Sequence, residues 1–150
     1  MAILKTGDIA PNFEGADQNG NHVSLNSLKG NKVVLYFYPK DDTPGCTAEA
    51  CDLRDNYAHL MSRGYKVIGV SPDNLKSHQK FAEKFDLPFP LLPDSDRTII
   101  ETYGVWGPKK FLGKSYDGVL RTTFIISEEG VIEEVISKVD TKNHTHQILK

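Results

Sequence analysis

Two cysteines stand close together in the first third of the chain, and the residues around the first of them could support thiol chemistry. Cys46 follows Thr43 and Pro44, which suit the N-cap and the first position of a helix. Cys46 therefore falls in the first helical turn, where unpaired backbone N–H groups and the helix dipole favour a negative charge. Because the thiolate is the nucleophilic form of cysteine, Cys46 is a candidate nucleophile. The competing interpretation is a buried, apolar cysteine.

The second cysteine, Cys51, lies five residues further along the same predicted helix. In an intact α-helix this separation places the two Cα atoms roughly 8–9 Å apart, whereas a disulfide requires roughly 7 Å or less. A disulfide between Cys46 and Cys51 would therefore require the first turns of the helix to unwind. This requirement suits a transient, catalytic disulfide better than a structural one.

The elements that must position these cysteines alternate between strands and helices. The apolar run at residues 33–38 is typical of a strand buried on both faces of a sheet, and the helix after it should continue to Gly64. Residues 105–118 contain several glycines and a proline and are predicted to be a long irregular segment, which is either functional or covers the edge of the core. The other predicted elements are an N-terminal hairpin around Asn19-Gly20, a strand over 65–71, a helix over 75–85, a proline-rich loop with a short edge segment over 87–93, a short helix ending at Tyr103, a hairpin of strands 121–127 and 131–136, and a last helix from Asn143.

This pattern predicts an α/β fold with a central mixed sheet flanked by helices and an N-terminal hairpin, formed by residues 1–150 as a single domain. A net charge of −2 gives no support for a nucleic-acid or anionic-membrane partner. The N-terminal residues lack the apolar core of a signal peptide, no run is long enough to span a bilayer, and two cysteines do not make a secreted disulfide framework. A reducing, cytoplasmic location is therefore expected.

The pattern Pro39-x-x-x-Thr43-x-x-Cys46 resembles the active-site signature of the peroxiredoxins. The longer string FYPKDDTPGCTAEACDLRD, over residues 37–55, closely resembles the Q-type branch, also called the bacterioferritin comigratory protein family. Further matches are Gly69-Val70-Ser71, Tyr103-Gly104-Val105-Trp106-Gly107 and Arg121-Thr122-Thr123-Phe124, so the resemblance covers nearly the whole chain. Pro108 departs from the acidic residue that many relatives have after the Trp-Gly pair. The resemblance implies a thioredoxin-like fold and thiol-dependent reduction of hydroperoxides.

The resemblance also implies a role for each matching residue. Cys46 would be the peroxidatic cysteine, Cys51 the resolving cysteine on the same helix, and Thr43 would hydrogen-bond the peroxide. Pro39 would shield the pocket, and Arg121 would support the thiolate. No cofactor or metal is implied. The implied partners are a hydroperoxide substrate and thioredoxin or a similar dithiol reductant, and the Q-type resemblance favours a monomer.

Two other functions fit parts of the sequence. A thioredoxin-like disulfide oxidoreductase would use the same fold, but its cysteines usually follow CxxC spacing, whereas four residues separate these two. A zinc module could combine both cysteines with His144 and His146, although this histidine pair reads more simply as part of a polar tail. His78 is expected on the solvent-facing side of its helix, and Asp41-Asp42 are expected to be turn residues.

Overall fold

The apolar run predicted as a central strand is the middle strand of a five-stranded sheet in the computed structural model, which describes residues 3–150. The strands are β1 (Glu14–Ala16), β2 (His22–Ser24), β3 (Lys32–Phe37), β4 (Tyr65–Ser71), β5 (Leu91–Pro93), β6 (Trp106–Phe111), β7 (Lys114–Val119), β8 (Thr122–Ile126) and β9 (Ile132–Ile136). The α-helices are α1 (Pro44–Asp55), α2 (Tyr57–Ser62), α3 (Leu75–Phe85), α4 (Thr98–Thr102) and α5 (His144–Leu149). No helix within the described range is both long and apolar enough to cross a bilayer.

The order of strands in the main sheet brings two distant parts of the chain to one edge. The order is β5-β4-β3-β8-β9, with β3 parallel to β4 and antiparallel to β8. In this register Phe37, at the end of β3, lies opposite Thr122, at the start of β8. Arg121, which immediately precedes β8, is therefore delivered beside the loop that follows β3.

Strand β3 is buried on both faces because its side chains alternate between two cores. Val33, Leu35 and Phe37 belong to one core, and Val34 and Tyr36 belong to the other. The second core also takes in residues from four helices, namely Cys46, Leu53, Leu60, Phe81 and Ile148. Cys46 is thus buried on the helix-covered face of the sheet.

The predicted N-terminal hairpin is confirmed by the antiparallel pair β1 and β2, and the predicted edge segment is the short strand β5. The single helix predicted up to Gly64 is wrong, because α1 ends at Asp55 and α2 begins at Tyr57. At the break, the side-chain amide of Asn56 donates to the Asp52 carbonyl at 2.8 Å. Such a side-chain bond to the backbone competes with a continuous helix.

The prediction of an irregular segment at residues 105–118 is also wrong. This segment forms the antiparallel hairpin of β6 and β7, whose tip residues Leu112 and Gly113 have φ angles of 52° and 78°. Most of β7 is exposed, so the strand lacks the apolar alternation by which a half-buried strand is recognised. Pro108 is accommodated because a two-stranded ribbon has an unpaired side on each strand.

Candidate active site

Cys46 lies in the first turn of α1, immediately after the loop that leaves β3. Thr43 occupies the N-cap position with extended backbone angles, and Pro44 is the first helical residue. The Thr43 hydroxyl does not cap the helix but donates to the Lys40 carbonyl at 2.8 Å. Cys46 is buried, with 1% of its surface exposed, and Pro39 is half-buried. The sequence prediction of the helix start is therefore confirmed.

Arg121 bridges Cys46 to a buried carboxylate. Its Nη2 donates to Cys46 Sγ at 3.2 Å, and its Nη1 donates to Glu49 Oε1 at 2.7 Å. Gly45 permits this approach, because a Cβ there would lie 3.3 Å from Arg121 Nη2. Burial opposes the charged form of Arg121, but Cys46 and Glu49 outweigh it, and the pKa of Arg121 is raised. The guanidinium is thus a fixed cation in contact with the sulfur.

Glu49 is the buried acidic partner of Arg121, and no role for it was predicted from the sequence. Its side chain is fully buried, and its Oε2 has no hydrogen-bond partner. Burial raises the pKa of Glu49 to about 7, Arg121 acts against this rise, and Asp52 adds to it. Glu49 therefore changes protonation near neutral pH, directly behind the arginine that contacts Cys46.

His144, at the start of α5, completes the buried network. Its Nε2 is hydrogen-bonded to the Thr123 hydroxyl at 2.8 Å and lies 3.5 Å from Glu49 Oε2, while its Nδ1 is 2.8 Å from Gln147 Oε1. Burial is the main cause that lowers the pKa of His144, so its neutral form is favoured. The interpretation of His144 as part of a polar tail is therefore wrong, whereas His146 is exposed.

Both cysteines are free thiols and lie in the uninterrupted helix α1, with Cys51 half-buried. The residue after Cys51, Asp52, is held by α5, because its Oδ2 accepts the Thr145 backbone N–H at 2.7 Å. The end of α1 that carries Cys51 is thus attached to the C-terminal helix.

The loop before α1 is fixed by Asp41, which the sequence suggested was only a turn residue. The buried Asp41 carboxylate accepts from Tyr38 Oη at 2.6 Å and from Ser77 Oγ at 2.8 Å, and it lies 2.7 Å from His78 Nδ1. Its backbone N–H donates to Asp73 Oδ2 at 2.8 Å. The prediction that His78 faces solvent is wrong, because it is completely buried against this loop.

Metal-ligand geometry does not favour the zinc alternative. Within residues 3–150, the group of His, Cys, Asp or Glu side chains close enough to share an ion is Asp41, Asp73 and His78. Both Asp41 carboxylate oxygens and Asp73 Oδ2 already take part in the hydrogen bonds described above. Neither cysteine belongs to the group, so the proposed combination of two cysteines and two histidines is not assembled.

The structure brings Cys46 and Arg121 into contact, but it places the other predicted residues less directly. Thr43 and Pro39 lie in the segment leading into Cys46, and Cys51 lies further along the same helix. Of the residues that sequence reasoning missed, Glu49 offered one signal, namely a carboxylate three residues after Cys46 and hence on its side of the helix.

A mixed sheet flanked by helices, with a buried cysteine in the first turn of the helix after its central strand, defines a thioredoxin-like α/β protein of the peroxiredoxin type. The model of the AhpC/TSA family matches residues 6–135, and the chain belongs to that family. The Escherichia coli K12 protein named peroxiredoxin Bcp is 48% identical over 149 residues, which are 99% of this chain and 96% of that protein. The fold and family resemblance inferred from the sequence are thereby confirmed.

Solved structures agree with this placement. A mutant PrxQ of Xylella fastidiosa superposes with a TM-score of 0.92 at 29% identity, covering 99% of this chain and 95% of that one. The bacterioferritin comigratory protein of Xanthomonas campestris, described in connection with its alkyl peroxide reduction activity, gives a TM-score of 0.85 at 34% identity, covering 91% of this chain and 87% of that one.

Proposed function

We propose that the chain is a thiol peroxidase that reduces hydroperoxides, including alkyl hydroperoxides, with Cys46 as the peroxidatic residue. The observation that carries this proposal is the 3.2 Å contact between Arg121 Nη2 and Cys46 Sγ in the first turn of α1. The alkyl peroxide reduction activity of the Xanthomonas relative supports the substrate class.

In the first step, the Cys46 thiolate attacks the terminal oxygen of the hydroperoxide. The S–O bond forms as the O–O bond breaks, the sulfur is oxidised to sulfenic acid, and the departing alkoxide takes a proton from solvent to become the alcohol. Negative charge moves from sulfur to the leaving oxygen during this step. The Arg121 guanidinium and the N–H groups at the start of α1 are fixed donors that can stabilise this charge.

Thr43 and Pro39 orient and enclose the peroxide in this proposal. The Thr43 hydroxyl already donates its proton to the Lys40 carbonyl at 2.8 Å, so its oxygen is left as an acceptor. An acceptor at this position would bind the O–H of the hydroperoxide and align the O–O bond with Cys46. Half-buried Pro39 would limit access of water to the same pocket.

Cys51 then resolves the sulfenic acid. Its thiol condenses with oxidised Cys46, giving an intramolecular disulfide and one molecule of water. Because α1 is helical from Pro44 to Asp55, its first turns must unwind before the two sulfurs can meet. An external dithiol of the thioredoxin type, as in a reducing cytoplasm, then reduces the disulfide and is itself oxidised. Because both cysteines lie on one helix, a monomer suffices.

Intact-mass analysis tests this proposal. Fully reduced protein receives one equivalent of hydrogen peroxide and is quenched within seconds by a thiol-blocking reagent. We expect a product lighter by two hydrogen atoms in which neither cysteine is blocked. In Cys51→Ser, we expect Cys46 to gain one oxygen atom, and in Cys46→Ser we expect no rapid oxidation.

The opposite result is wild-type protein that has not been oxidised and has both thiols blocked. Cys46 would then react with peroxide no faster than an ordinary thiol, and the proposed peroxidase activity would be rejected. A parallel assay of insulin reduction distinguishes the disulfide oxidoreductase. Reduction of insulin without consumption of peroxide would favour that alternative.

A further inference from the structure

Lys109, near the middle of β6, is directed differently from the lysines around it. Its side chain runs across β7 at Gly118, where an added Cβ would lie 3.3 Å from Lys109 Cδ. Its Nζ donates to the Val119 carbonyl at 2.9 Å. Lys109 is half-buried, whereas Lys110 and Lys114 are exposed. The absence of a side chain at Gly118 thus gives Lys109 a defined path along the hairpin.

The endpoint of that path lies close to the proposed reaction centre. Val119 is buried and stands two residues before Arg121, so the Lys109 ammonium is fixed to the backbone that leads into the arginine. Burial and the Arg121 guanidinium lower the pKa of Lys109, whereas Cys46 acts to raise it. The Lys109 ammonium is therefore held beside the segment that carries Arg121, whose guanidinium contacts Cys46 Sγ.

Lys109 adds to the positive charge that Arg121 places at the site. Arg121 contacts the sulfur directly, and Lys109 adds a second positive charge nearby. The compensating carboxylate, Glu49, has a pKa of about 7 and is only partly ionised at neutral pH. When the Cys46 thiol is protonated, the fractional negative charge of Glu49 does not balance the positive charges of Arg121 and Lys109. Ionisation of the thiol would add a negative charge and reduce the repulsion between the two cations.

We propose that Lys109 is a positioning residue of the peroxidase site, a second cation that stabilises the Cys46 thiolate and holds the segment before Arg121 through the Val119 carbonyl. This inference rests on the proposed function for the importance of the thiolate. Its charge effect, however, can be measured without any peroxide.

The test compares Lys109→Met, Lys109→Arg and the matched control Lys110→Met, each in a Cys51→Ser background so that one thiol remains. The rate of Cys46 alkylation by iodoacetamide is followed against pH. We expect the midpoint of this profile to rise by about half to one pH unit in Lys109→Met, the size expected for loss of a half-exposed cation. Lys109→Arg should restore the wild-type midpoint, and Lys110→Met should leave it unchanged.

A structural role alone would not reproduce this pattern. An unchanged midpoint in Lys109→Met, or a raised midpoint that Lys109→Arg does not restore, would overturn the proposal, provided that urea denaturation shows folded protein. Peroxide reduction by the unsubstituted chain is measured separately. Absence of peroxide reduction would reject the proposed peroxidase function. The alkylation profile would still test the effect of the Lys109 charge on Cys46 independently.

Discussion

Replacing Glu49 by Gln tests whether the buried carboxylate behind Arg121 is protonated near neutral pH. Glutamine keeps the shape of the side chain and an oxygen that can accept from Arg121 Nη1, which now donates to Glu49 Oε1 at 2.7 Å. It cannot ionise, so it imitates protonated Glu49 at every pH. The groups facing Glu49 are Arg121, His144 from α5 and, at longer range, Asp52.

The expected magnitude follows from the difference in pKa between the folded and unfolded states. Burial raises the pKa of Glu49 from 4.5 to about 7, so between these values the folded state holds the proton more tightly than the unfolded state. The free energy of unfolding must therefore fall as pH rises through this window, and the loss is complete above about pH 7. At about 1.4 kcal/mol per pH unit, the full loss is about 3 kcal/mol.

Urea denaturation of reduced protein at about pH 5 and about pH 8 measures this loss. Wild type and Glu49→Gln are compared in a Cys46→Ser background, so that the thiol does not contribute to the pH dependence. Between the two pH values, we expect the free energy of unfolding to fall by about 2–3 kcal/mol more in the protein that keeps Glu49 than in Glu49→Gln. The difference is smaller than the full loss because part of the window lies below pH 5. Equal losses in both proteins would show that Arg121 keeps Glu49 ionised throughout, and the reasoning from burial would be refuted.

Three further substitutions probe the surroundings of the site. Gly69→Ala should destabilise the protein by about 2 kcal/mol in urea denaturation, because the new Cβ would lie 2.8 Å from a buried tyrosine ring carbon; an unchanged midpoint would contradict this. Asp41→Ala should lower the free energy of unfolding by about 3 kcal/mol in urea denaturation, because it removes the partner of buried His78. Adding His78→Leu to the same chain should recover part of that loss. Strictly additive losses for the two substitutions would contradict the pairing. Asp52→Ala removes the acceptor of the Thr145 N–H, a hydrogen bond that contributes about 1 kcal/mol. Disulfide formation, followed by quenched-flow mass analysis, should therefore be about fivefold faster. An unchanged rate would mean that this contact does not restrain α1.

The main sheet and most helices could be predicted from the sequence, because their patterns are local. Residues 33–38 carry enough apolar and β-branched residues to indicate a strand buried on both faces, and its neighbours across the sheet are similar. The β6–β7 hairpin could not be recognised in this way. Its strands are held by backbone pairing and are largely exposed, so residues 105–118 show turn-forming residues but no alternation.

The candidate site divides in the same manner. The position of Cys46 at a helix start could be predicted from the residues next to it, and the family resemblance indicated that Arg121 belongs to the site. The partners of these residues come from contacts between distant elements: Arg121 meets Glu49 across 72 positions, and His144 meets Thr123 across 21. A histidine near a chain end or an Asp-Asp pair in a turn gives no local sign that it is buried. Their pairing is decided by packing of α5 on α1 and of α3 on the loop after β3.

The two steps of the proposed mechanism require opposite conformations of the first turns of α1. Peroxide reduction needs the helix wound, because Arg121 contacts Cys46 and Glu49 from the same side. Disulfide formation needs its first turns unwound, which breaks both contacts. Oxidation of Cys46 converts an anion into a neutral sulfenic acid, so the attraction between sulfur and guanidinium weakens at the moment when the helix must open. The contact that assists the first step is therefore weakened as a consequence of that step, while the hydrogen bond between Asp52 and α5 still holds the end of the helix that carries Cys51.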